Sequence, residues 1–383
     1  MNGVVHEYTF PTPPRFRNES EKSALLLAGS FVDMSNKDVP VTIISGFLGA
    51  GKSSLIRRIL QEDHGHRIVV VENEFGDNVS IESAIIRQKA PDSFSKSNEA
   101  SKRTTQKKSA LSEIIELPNG CMCCSAQDEL VKALAELVRL RRDSFDYILV
   151  ETSGLADPEA VAAMFWVDEG LEENLKLDAV LTVVDCKNYK KYRNQEKTAL
   201  LAEKQIAVSD VLLLNKTDLV QGDEVAKRVC RTNKNAVVIP CQYCKVDVNR
   251  ILNINAYDCG KLLSTMSFHE DHIDSNIGTV TISFDSSQGV FDSTLLDRAF
   301  GKLIWGQESG SSQQIWRTKA LVIVRKDQSN GAMIYQSVGE LFDSEDASLA
   351  AEQSERQLSQ FIFIGCNINK QHIASILKEA LVS

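Results

Sequence analysis

Short apolar runs rich in β-branched residues recur along the first two thirds of the chain, separated by stretches with helical spacing. Nearly continuous apolar runs are typical of strands buried on both faces, as in a parallel sheet covered by helices. The predicted strands are Val41–Ile44, Ile68–Val71, Tyr147–Val150, Ala179–Val184, Val211–Leu214 and Val237–Ile239. Helical spacing predicts a covering helix through Leu130, Leu134, Leu137 and Val138. The pattern predicts a doubly wound α/β domain over residues 40–258.

The two ends of the chain have different patterns. Residues 1–39 combine prolines with scattered polar residues and predict a disordered tail. After a predicted linker at residues 259–277, strands outnumber helices, which predicts a smaller α+β domain over residues 278–383. Its predicted strands are Thr279–Phe284, Ala320–Val324, Ile334–Val338 and Phe361–Ile364, its predicted helices are Leu295–Ile304 and Ile373–Leu381, and the polar tract Asp343–Gln357 predicts a loop.

One segment interrupts the first domain. Residues 87–112 are rich in serine and lysine and have no periodicity. We favour a disordered surface insertion there, and a docking or nucleic-acid patch is the weaker alternative.

Composition narrows the classes of function. Hydrophobic residues make up 43% of the 383 residues, enough for two domains with cores. The net charge of −9 argues against a general nucleic-acid binder, since phosphate binding needs a basic surface. No apolar run approaches the roughly 20 residues that span a bilayer, so no membrane partner is expected. The expected location is the cytoplasm, with the nucleus left open.

A glycine-rich phosphate loop follows the first predicted strand. Residues Gly46 to Ser53 fit the P-loop pattern, in which glycine lets backbone N–H groups turn towards phosphate oxygens. Lys52 is expected to reach the β- and γ-phosphates, and the Ser53 hydroxyl is expected to bind Mg²⁺. A glycine-rich turn that binds nothing is the alternative, disfavoured by the order of strand, loop and helix.

The predicted strand Val211–Leu214 leads into Asn215-Lys216-Thr217-Asp218. A carboxylate there can accept two hydrogen bonds from guanine, a pair that adenine cannot donate, so the substrate is predicted to be GTP. Lys216 is expected to lie along the base and Asn215 to tie this loop to the phosphate loop. The residues expected to bind the nucleotide are Gly46, Gly49, Ala50, Gly51, Lys52, Ser53, Ser54, Asn215, Lys216 and Asp218.

A further acidic segment, Glu151-Thr-Ser-Gly154, follows the strand Tyr147–Val150. Glu151 is a candidate Mg²⁺ ligand, with a helix-capping acid as the alternative, and Gly154 can offer its N–H to the γ-phosphate. The candidate catalytic residues are Lys52, Glu74, Glu151 and Gly154.

Three of the nine cysteines, Cys121, Cys123 and Cys124, lie within four positions. Three thiolates can converge on one soft or borderline cation, and with a fourth ligand or water they would complete a tetrahedral zinc site. Glu72 and Asp77 are candidate oxygen ligands during zinc transfer, and two solvated loop acids are an equally weighted alternative. Cys241 and Cys244 have metal or redox spacing, and His269 and His272 could hold a transient metal, but ordinary thiols and solvated histidines are favoured there.

Together these motifs resemble the CobW-like metallochaperone GTPases, which are relatives of the nickel-insertion GTPases of urease and hydrogenase. The resemblance rests on Gly46–Ser53, Glu72–Gly76, Cys121–Cys124, Glu151–Asp157 and Asn215–Asp218. Met164–Asp168 resembles the eukaryotic branch, the zinc-regulated GTPase metalloprotein activators. The resemblance implies a CobW-type C-terminal domain and delivery of zinc to client metalloproteins, driven by GTP hydrolysis. Methionine aminopeptidase is a candidate client, but residues 1–40 lack any cysteine and so lack the usual docking motif.

The expected mechanism is a switch in which the γ-phosphate and Mg²⁺ order the Glu72–Asp77 loop, the cysteine loop and the Glu151 loop together. No arginine finger is evident, so a client or a second copy in a homodimer is expected to complete the site. Three alternatives stay open: a chaperone for cobalt or nickel, a GTPase with structural zinc, and a storage or scaffold protein with vestigial hydrolysis.

Overall fold

The computed structural model describes residues 38–73, 113–116, 125–141, 144–167, 174–220, 223–258, 272–274, 276–306, 313–326, 330–347 and 358–382. Residues 1–37 of the predicted tail and the predicted insertion at 87–112 lie outside these ranges. The described residues from Asp38 onward belong to one compact unit.

A seven-stranded parallel sheet, counted over the described residues, forms the centre of the first domain. Its strands are β1 (Val39–Ser45), β2 (Ile68–Asn73), β3 (Glu113–Glu116), β4 (Tyr147–Thr152), β5 (Leu175–Asp185), β6 (Val211–Asn215) and β7 (Val237–Pro240). Their spatial order is β3-β2-β4-β1-β5-β6-β7, so the chain builds one side of the sheet from β1 and then crosses β1 to build the other, which makes β1 the switch point. A crevice outside the carboxyl ends of the strands at such a switch point is where ligands bind in open α/β sheets.

Helices cover both faces of this sheet. They are α1 (Lys52–Gln61), α2 (Ser125–Arg141), α3 (Pro158–Val167), α4 (Tyr189–Arg193), α5 (Glu196–Ala207) and α6 (Glu224–Thr232). Leu55 and Ile59 of α1 pack on one face, whereas Leu130 and Leu134 of α2 pack on the other. Because both faces are covered, the strands are almost wholly apolar, and the predicted doubly wound domain is confirmed.

The second domain is built on a mostly antiparallel sheet. Its strands are β8 (His272–Asp274), β9 (Ile277–Asp285), β10 (Val290–Phe291), β11 (Gln314–Arg325), β12 (Asn330–Val338), β13 (Leu341–Asp346), β14 (Leu358–Cys366) and β15 (Leu381–Val382). Helices α7 (Ser293–Trp305) and α8 (Lys370–Lys378) cover one face of the sheet. The opposite face packs on the first domain, with Trp316, Val338 and Ile362 in the same apolar cluster as α2 and α3. This arrangement confirms the predicted smaller α+β domain.

Three predicted details of the second domain differ from the structure. The tract predicted as a loop from Asp343 begins inside β13, because a tight turn pairs this polar edge strand with β12. The helix predicted to run to Leu381 ends at Lys378, and Leu381 instead pairs with Phe291 of β10. The second sheet also begins within the predicted linker, where β8 pairs with β9.

A buried charged cluster joins the two domains. The Arg317 guanidinium donates to a carboxylate oxygen of Asp210 and to the Val208 carbonyl. Lys319 approaches the same Asp210 oxygen at 3.2 Å, and Arg317 lies 5.1 Å from the ring centroid of Tyr257. Burial alone would raise the pKa of Asp210, but the charges of Arg317 and Lys319 outweigh it and lower that pKa. The cluster therefore holds the second sheet against the amino end of β6.

No helix among the described residues is both long and apolar enough to cross a membrane.

Candidate functional site

The carboxyl ends of β1, β4, β5 and β6 lie side by side at one edge of the first sheet, since these parallel neighbours are aligned. Ile44 near the end of β1 pairs with Glu151 of β4, and Asp185 of β5 pairs with Asn215 of β6. The predicted phosphate loop follows β1 at this edge and leads into α1. We call this side of the sheet the carboxyl edge.

Two glycines of the phosphate loop have backbone angles that side chains disfavour. Gly46 has φ +134° and lies against the Val183 carbonyl, and Gly51 has φ +118°. A Cβ atom on Gly51 would stand 2.6 Å from Asn215 Nδ2 and 2.9 Å from Cys244 Sγ. Glycine is therefore required at both positions for the loop to turn and to lie close to the neighbouring segments.

Lys52 and Ser53 are the first two residues of α1, and their side chains bond to different partners at the carboxyl edge. Lys52 is buried, and its Nζ donates to the Gly46 carbonyl at 2.9 Å, so the ammonium lies back over the phosphate loop. The Ser53 hydroxyl donates to Glu151 Oε1 at 3.2 Å. A hydroxyl and a carboxylate are hard oxygen ligands, so Ser53 and Glu151 fit the Mg²⁺ that accompanies a nucleotide.

Asn215 ties the end of β6 to the phosphate loop. Its Nδ2 donates to the Ala50 carbonyl at 2.8 Å, and its Oδ1 accepts the Cys244 N–H at 3.0 Å. The side chain is buried, with both ends of the amide hydrogen-bonded. Asn215 thereby connects three loops at the carboxyl edge.

Lys216 and Asp218 follow directly. Lys216 has a left-handed backbone, φ +62°, and its Nζ donates to the Gly49 carbonyl at 2.7 Å. Asp218 lies on the short 3₁₀ turn Thr217–Leu219 with an exposed side chain. The carboxylate is thus accessible to a ligand beside the phosphate loop.

The Glu151–Gly154 segment packs directly on the phosphate loop. Glu151 is 2% exposed at the end of β4. A Cβ atom on Gly154 would stand 2.5 Å from the Leu48 backbone nitrogen, so no side chain fits between the two loops. Gln205 of α5 donates to the Ala156 carbonyl at 3.2 Å and supports the segment from behind. A structural change in the phosphate loop would therefore displace the Glu151–Gly154 segment as well.

Glu72 lies in a strand, whereas the sequence prediction ended that strand at Val71. In β2 it is 5% exposed, and its register neighbours are Glu116 of β3 and Glu151 of β4. Three acidic residues, Glu116, Glu72 and Glu151, therefore occupy neighbouring positions on adjacent strands at the carboxyl edge. The alternative in which Glu72 is a solvated loop acid is wrong, because β2 pairs with strands on both sides.

The predicted zinc-binding residues Cys121, Cys123 and Cys124, together with Glu74 and Asp77, lie outside the described residues. The elements on either side of the cysteines are described: β3 ends at Glu116, and α2 begins at Ser125, the residue after Cys124. The chain leaves β3 at the carboxyl edge, where it enters the segment that carries the cysteines.

The weaker metal candidates have other surroundings. The Cys244 thiol contacts the Gly51 carbonyl at 3.3 Å behind the phosphate loop. Burial raises the pKa of Cys241 to about 11 and that of Cys244 to about 12, so both are neutral thiols in the structure. His269 lies outside the described residues, and His272 lies in β8. Over the described part of the chain, no group of three or more histidine, cysteine or acidic side chains is placed to hold a metal.

Sequence reasoning missed two residues at the carboxyl edge. Asp185 ends β5 and accepts from Lys216 Nζ at 2.7 Å. Tyr192 of α4 stacks on Phe47 of the phosphate loop at 4.6 Å between ring centroids. A polar residue ending a buried strand was the available signal for Asp185, but no spacing pattern singles out Tyr192.

The chain matches two family models. Residues 40–240 match the CobW/HypB/UreG nucleotide-binding domain, and residues 279–381 match the cobalamin synthesis protein CobW C-terminal domain.

Curated relatives include two fungal proteins named zinc-regulated GTPase metalloprotein activator 1. The Saccharomyces cerevisiae protein is 27% identical over 390 residues, covering 92% of this chain and 86% of the relative. The Schizosaccharomyces pombe protein is 36% identical over 266 residues, covering 67% of this chain and 60% of the relative. The Escherichia coli zinc chaperone YjiA is 33% identical over 223 residues, covering 57% of this chain and 62% of the relative.

A solved structure shares the fold. The Zn(II)-bound YjiA GTPase from E. coli superimposes with a TM-score of 0.65 at 22% identity, covering 90% of this chain and all of that one.

Proposed function

The chain belongs to the CobW/HypB/UreG family, and from this we propose that it is a zinc chaperone that couples GTP binding and hydrolysis to zinc transfer to client metalloproteins. One observation carries the proposal. The segment with the cysteines is bounded by β3 and α2, and β3 enters it from the same carboxyl edge that presents Lys52, Ser53 and Glu151. A nucleotide and a zinc ion bound there could influence each other.

The nucleotide part of the proposal assigns a role to each side chain. Lys52 moves from the Gly46 carbonyl to the β- and γ-phosphates, and backbone N–H groups of the phosphate loop bind the remaining oxygens. Ser53 and Glu151 would hold Mg²⁺, and the ion would neutralise charge on the phosphates. Asp218 accepts from the guanine, while Asn215 keeps the base loop attached to the phosphate loop.

In the zinc part of the proposal, the zinc ion is the cargo that the protein delivers. Cys121, Cys123 and Cys124 bind zinc as thiolates, leaving a fourth position open for a client or a transfer ligand. In this proposal Glu72 senses both sites, supported by its register next to Glu151 and its position before the segment with Glu74 and Asp77. Loss of the γ-phosphate relaxes the loops at this edge and weakens the hold on zinc.

The partner in this cycle is a client metalloprotein. Methionine aminopeptidase is one candidate client, a second copy of the chain is a candidate for completing the hydrolytic site, and the cytoplasm is the proposed location.

Replacing Asp218 tests base selection. Asp218→Asn should weaken GTP binding by roughly 10- to 100-fold, because the new amide places a donor against the guanine donors and removes a charged acceptor. Binding of xanthosine triphosphate should improve instead. Fluorescent-nucleotide competition measures both affinities, and Asp223→Asn, which replaces an exposed acid directly before α6, is the control. An unchanged preference for GTP would remove Asp218 from the base site.

Replacing Cys123 tests the coupling between zinc and nucleotide. In the wild type, a non-hydrolysable GTP analogue should tighten zinc binding relative to GDP by about 5- to 150-fold, the usual range for coupled sites. Cys123→Ser should lower zinc affinity by more than the roughly 10- to 100-fold seen when a supporting residue is lost. The same substitution should also reduce the difference in zinc affinity between the GDP-bound protein and the protein bound to the GTP analogue.

The measurement is zinc titration against a chromophoric chelator at fixed pH, because thiolate ligands make zinc affinity pH-dependent. Cys230→Ser removes an exposed thiol of α6 and is the control. If the wild type binds zinc equally tightly with GDP and with the analogue, the zinc is structural and the delivery mechanism is wrong.

A further inference from the structure

Asp185 is a buried carboxylate at the carboxyl edge that the roles above do not use. It is the last residue of β5, its side chain is 1% exposed, and it faces the loop that follows β6. A buried carboxylate needs charged or hydrogen-bonding partners, since desolvation otherwise favours its neutral form.

Both carboxylate oxygens of Asp185 have partners. Oδ2 accepts from Lys216 Nζ at 2.7 Å and from Asn188 Nδ2 at 2.8 Å, and Oδ1 accepts the Asn188 backbone N–H at 3.1 Å. Burial would raise the pKa of Asp185, but the hydrogen bonds from Lys216 and Asn188 outweigh it and lower the pKa. The carboxylate is therefore charged and fixed in orientation.

Lys216 is held at two points. Its Nζ donates both to Asp185 and to the Gly49 carbonyl, each at 2.7 Å. A free lysine side chain has many rotamers, and fixing them on ligand binding costs entropy. The two bonds fix the Lys216 side chain against the phosphate loop before a ligand binds.

Asp185 also supports the phosphate loop by a second route. Asn188, which it anchors, immediately precedes α4. Tyr192 of α4 stacks on Phe47 and donates its hydroxyl hydrogen to the Leu48 carbonyl at 3.2 Å. Asp185 is thus linked to three consecutive residues of the phosphate loop, through Lys216 at Gly49 and through α4 at Phe47 and Leu48.

We propose that Asp185 is a positioning residue for guanine-nucleotide binding, which holds Lys216 against the phosphate loop so that its stem forms a wall of the base site. This inference rests on the proposed nucleotide site. It adds a residue from β5 that contacts neither base nor phosphate and acts through Lys216.

A double-mutant cycle tests the inference. Asp185→Asn keeps the volume and one oxygen acceptor for Asn188 but removes the charge, and it should weaken GDP and GTP binding by about tenfold, the value of one charge-assisted hydrogen bond. Lys216→Met removes the partner. If Asp185 acts through Lys216, the double variant binds nucleotide no more weakly than Lys216→Met alone, whereas a merely structural role makes the two losses multiply.

A matched control uses an acid that pairs with a residue at the other end of β5. Asp258→Asn removes the acid that pairs with Lys176 at 3.2 Å near the amino end of β5, and it should leave nucleotide affinity unchanged. Asn188→Ala is a milder variant that removes one of the two donors to Oδ2 and keeps the backbone N–H bond to Oδ1, for use if Asp185→Asn does not fold. It should cost a few-fold in affinity, and this loss should also disappear in the Lys216→Met background.

The outcomes separate two failures. A wild-type chain that binds no guanine nucleotide would overturn the proposed function itself. A wild type that binds GDP, together with an Asp185→Asn variant that binds it equally well or adds its full loss to that of Lys216→Met, would overturn only the role of Asp185.

Discussion

Lys52→Ala should weaken GTP and GDP binding by at least about 100-fold while leaving the fold intact. The ammonium is expected to make two hydrogen bonds to phosphate oxygens, and each bond to a charged group is worth about 1.5–3 kcal/mol. In the structure Lys52 is buried and its Nζ donates to the Gly46 carbonyl, so the amine is already placed over the phosphate loop. On binding, the amine exchanges its bond to the Gly46 carbonyl for stronger bonds to charged phosphate oxygens, and this exchange favours binding.

Titration of a fluorescent guanine nucleotide measures the effect, and thermal unfolding without nucleotide checks the fold. Lys197→Ala removes a lysine from the exposed surface of α5 and should bind nucleotide like the wild type. A Lys52→Ala variant with wild-type affinity would mean that Gly46–Ser53 does not form the phosphate site.

The first domain could be predicted from the sequence because its strands are buried on both faces. Tyr147–Thr152 illustrates this: every residue of β4 is buried, and its first four residues, Tyr147–Val150, form a continuous apolar run. The strand β13 shows the opposite case. Leu341–Asp346 is an edge strand with several exposed polar residues, and only its pairing with β12 reveals it.

Residues of the candidate site could be predicted from the sequence where several of them lie together in one short segment. Lys52 and Ser53 are adjacent in the chain, and Asn215, Lys216 and Asp218 span four positions. Asp185 could not be assigned in this way, since its partner is 31 positions away and becomes a neighbour only because β5 pairs with β6. The pairing of Arg317 with Asp210, 107 positions apart, likewise depends on how the second sheet packs on the first.

Breaking that buried pair should destabilise the protein strongly. Arg317→Met preserves an unbranched side chain but leaves Asp210 buried with only Lys319 as a cation, and it should lower the free energy of unfolding by about 3–5 kcal/mol. Asp210→Asn combined with Arg317→Met should be less destabilising than the sum of the single variants, because the double variant lacks the buried carboxylate that Arg317→Met leaves with Lys319 alone. Urea unfolding followed by tryptophan fluorescence gives these values.

The matched control is an exposed ion pair in the same domain. Lys302→Met breaks the contact with Glu379, and it should change stability by less than about 1 kcal/mol because both side chains are more than half exposed. If Arg317→Met is as mild as Lys302→Met, the buried cluster is not what holds the two sheets together.

The contribution of the Arg317–Asp210 pair to stability should also appear when the pH is lowered. The pKa of Asp210 is lowered in the folded protein, so at acidic pH the unfolded chain takes up this proton more readily than the folded one. The stability from Asp210 is therefore complete above the ordinary aspartate pKa of about 3.9 and is lost as the pH falls through the lower, folded-state value. Arg317→Met removes a cation responsible for the lowering, so its urea midpoint should fall less steeply than that of the wild type below about pH 4. Equal slopes for the two proteins would show that Arg317 does not keep Asp210 ionised.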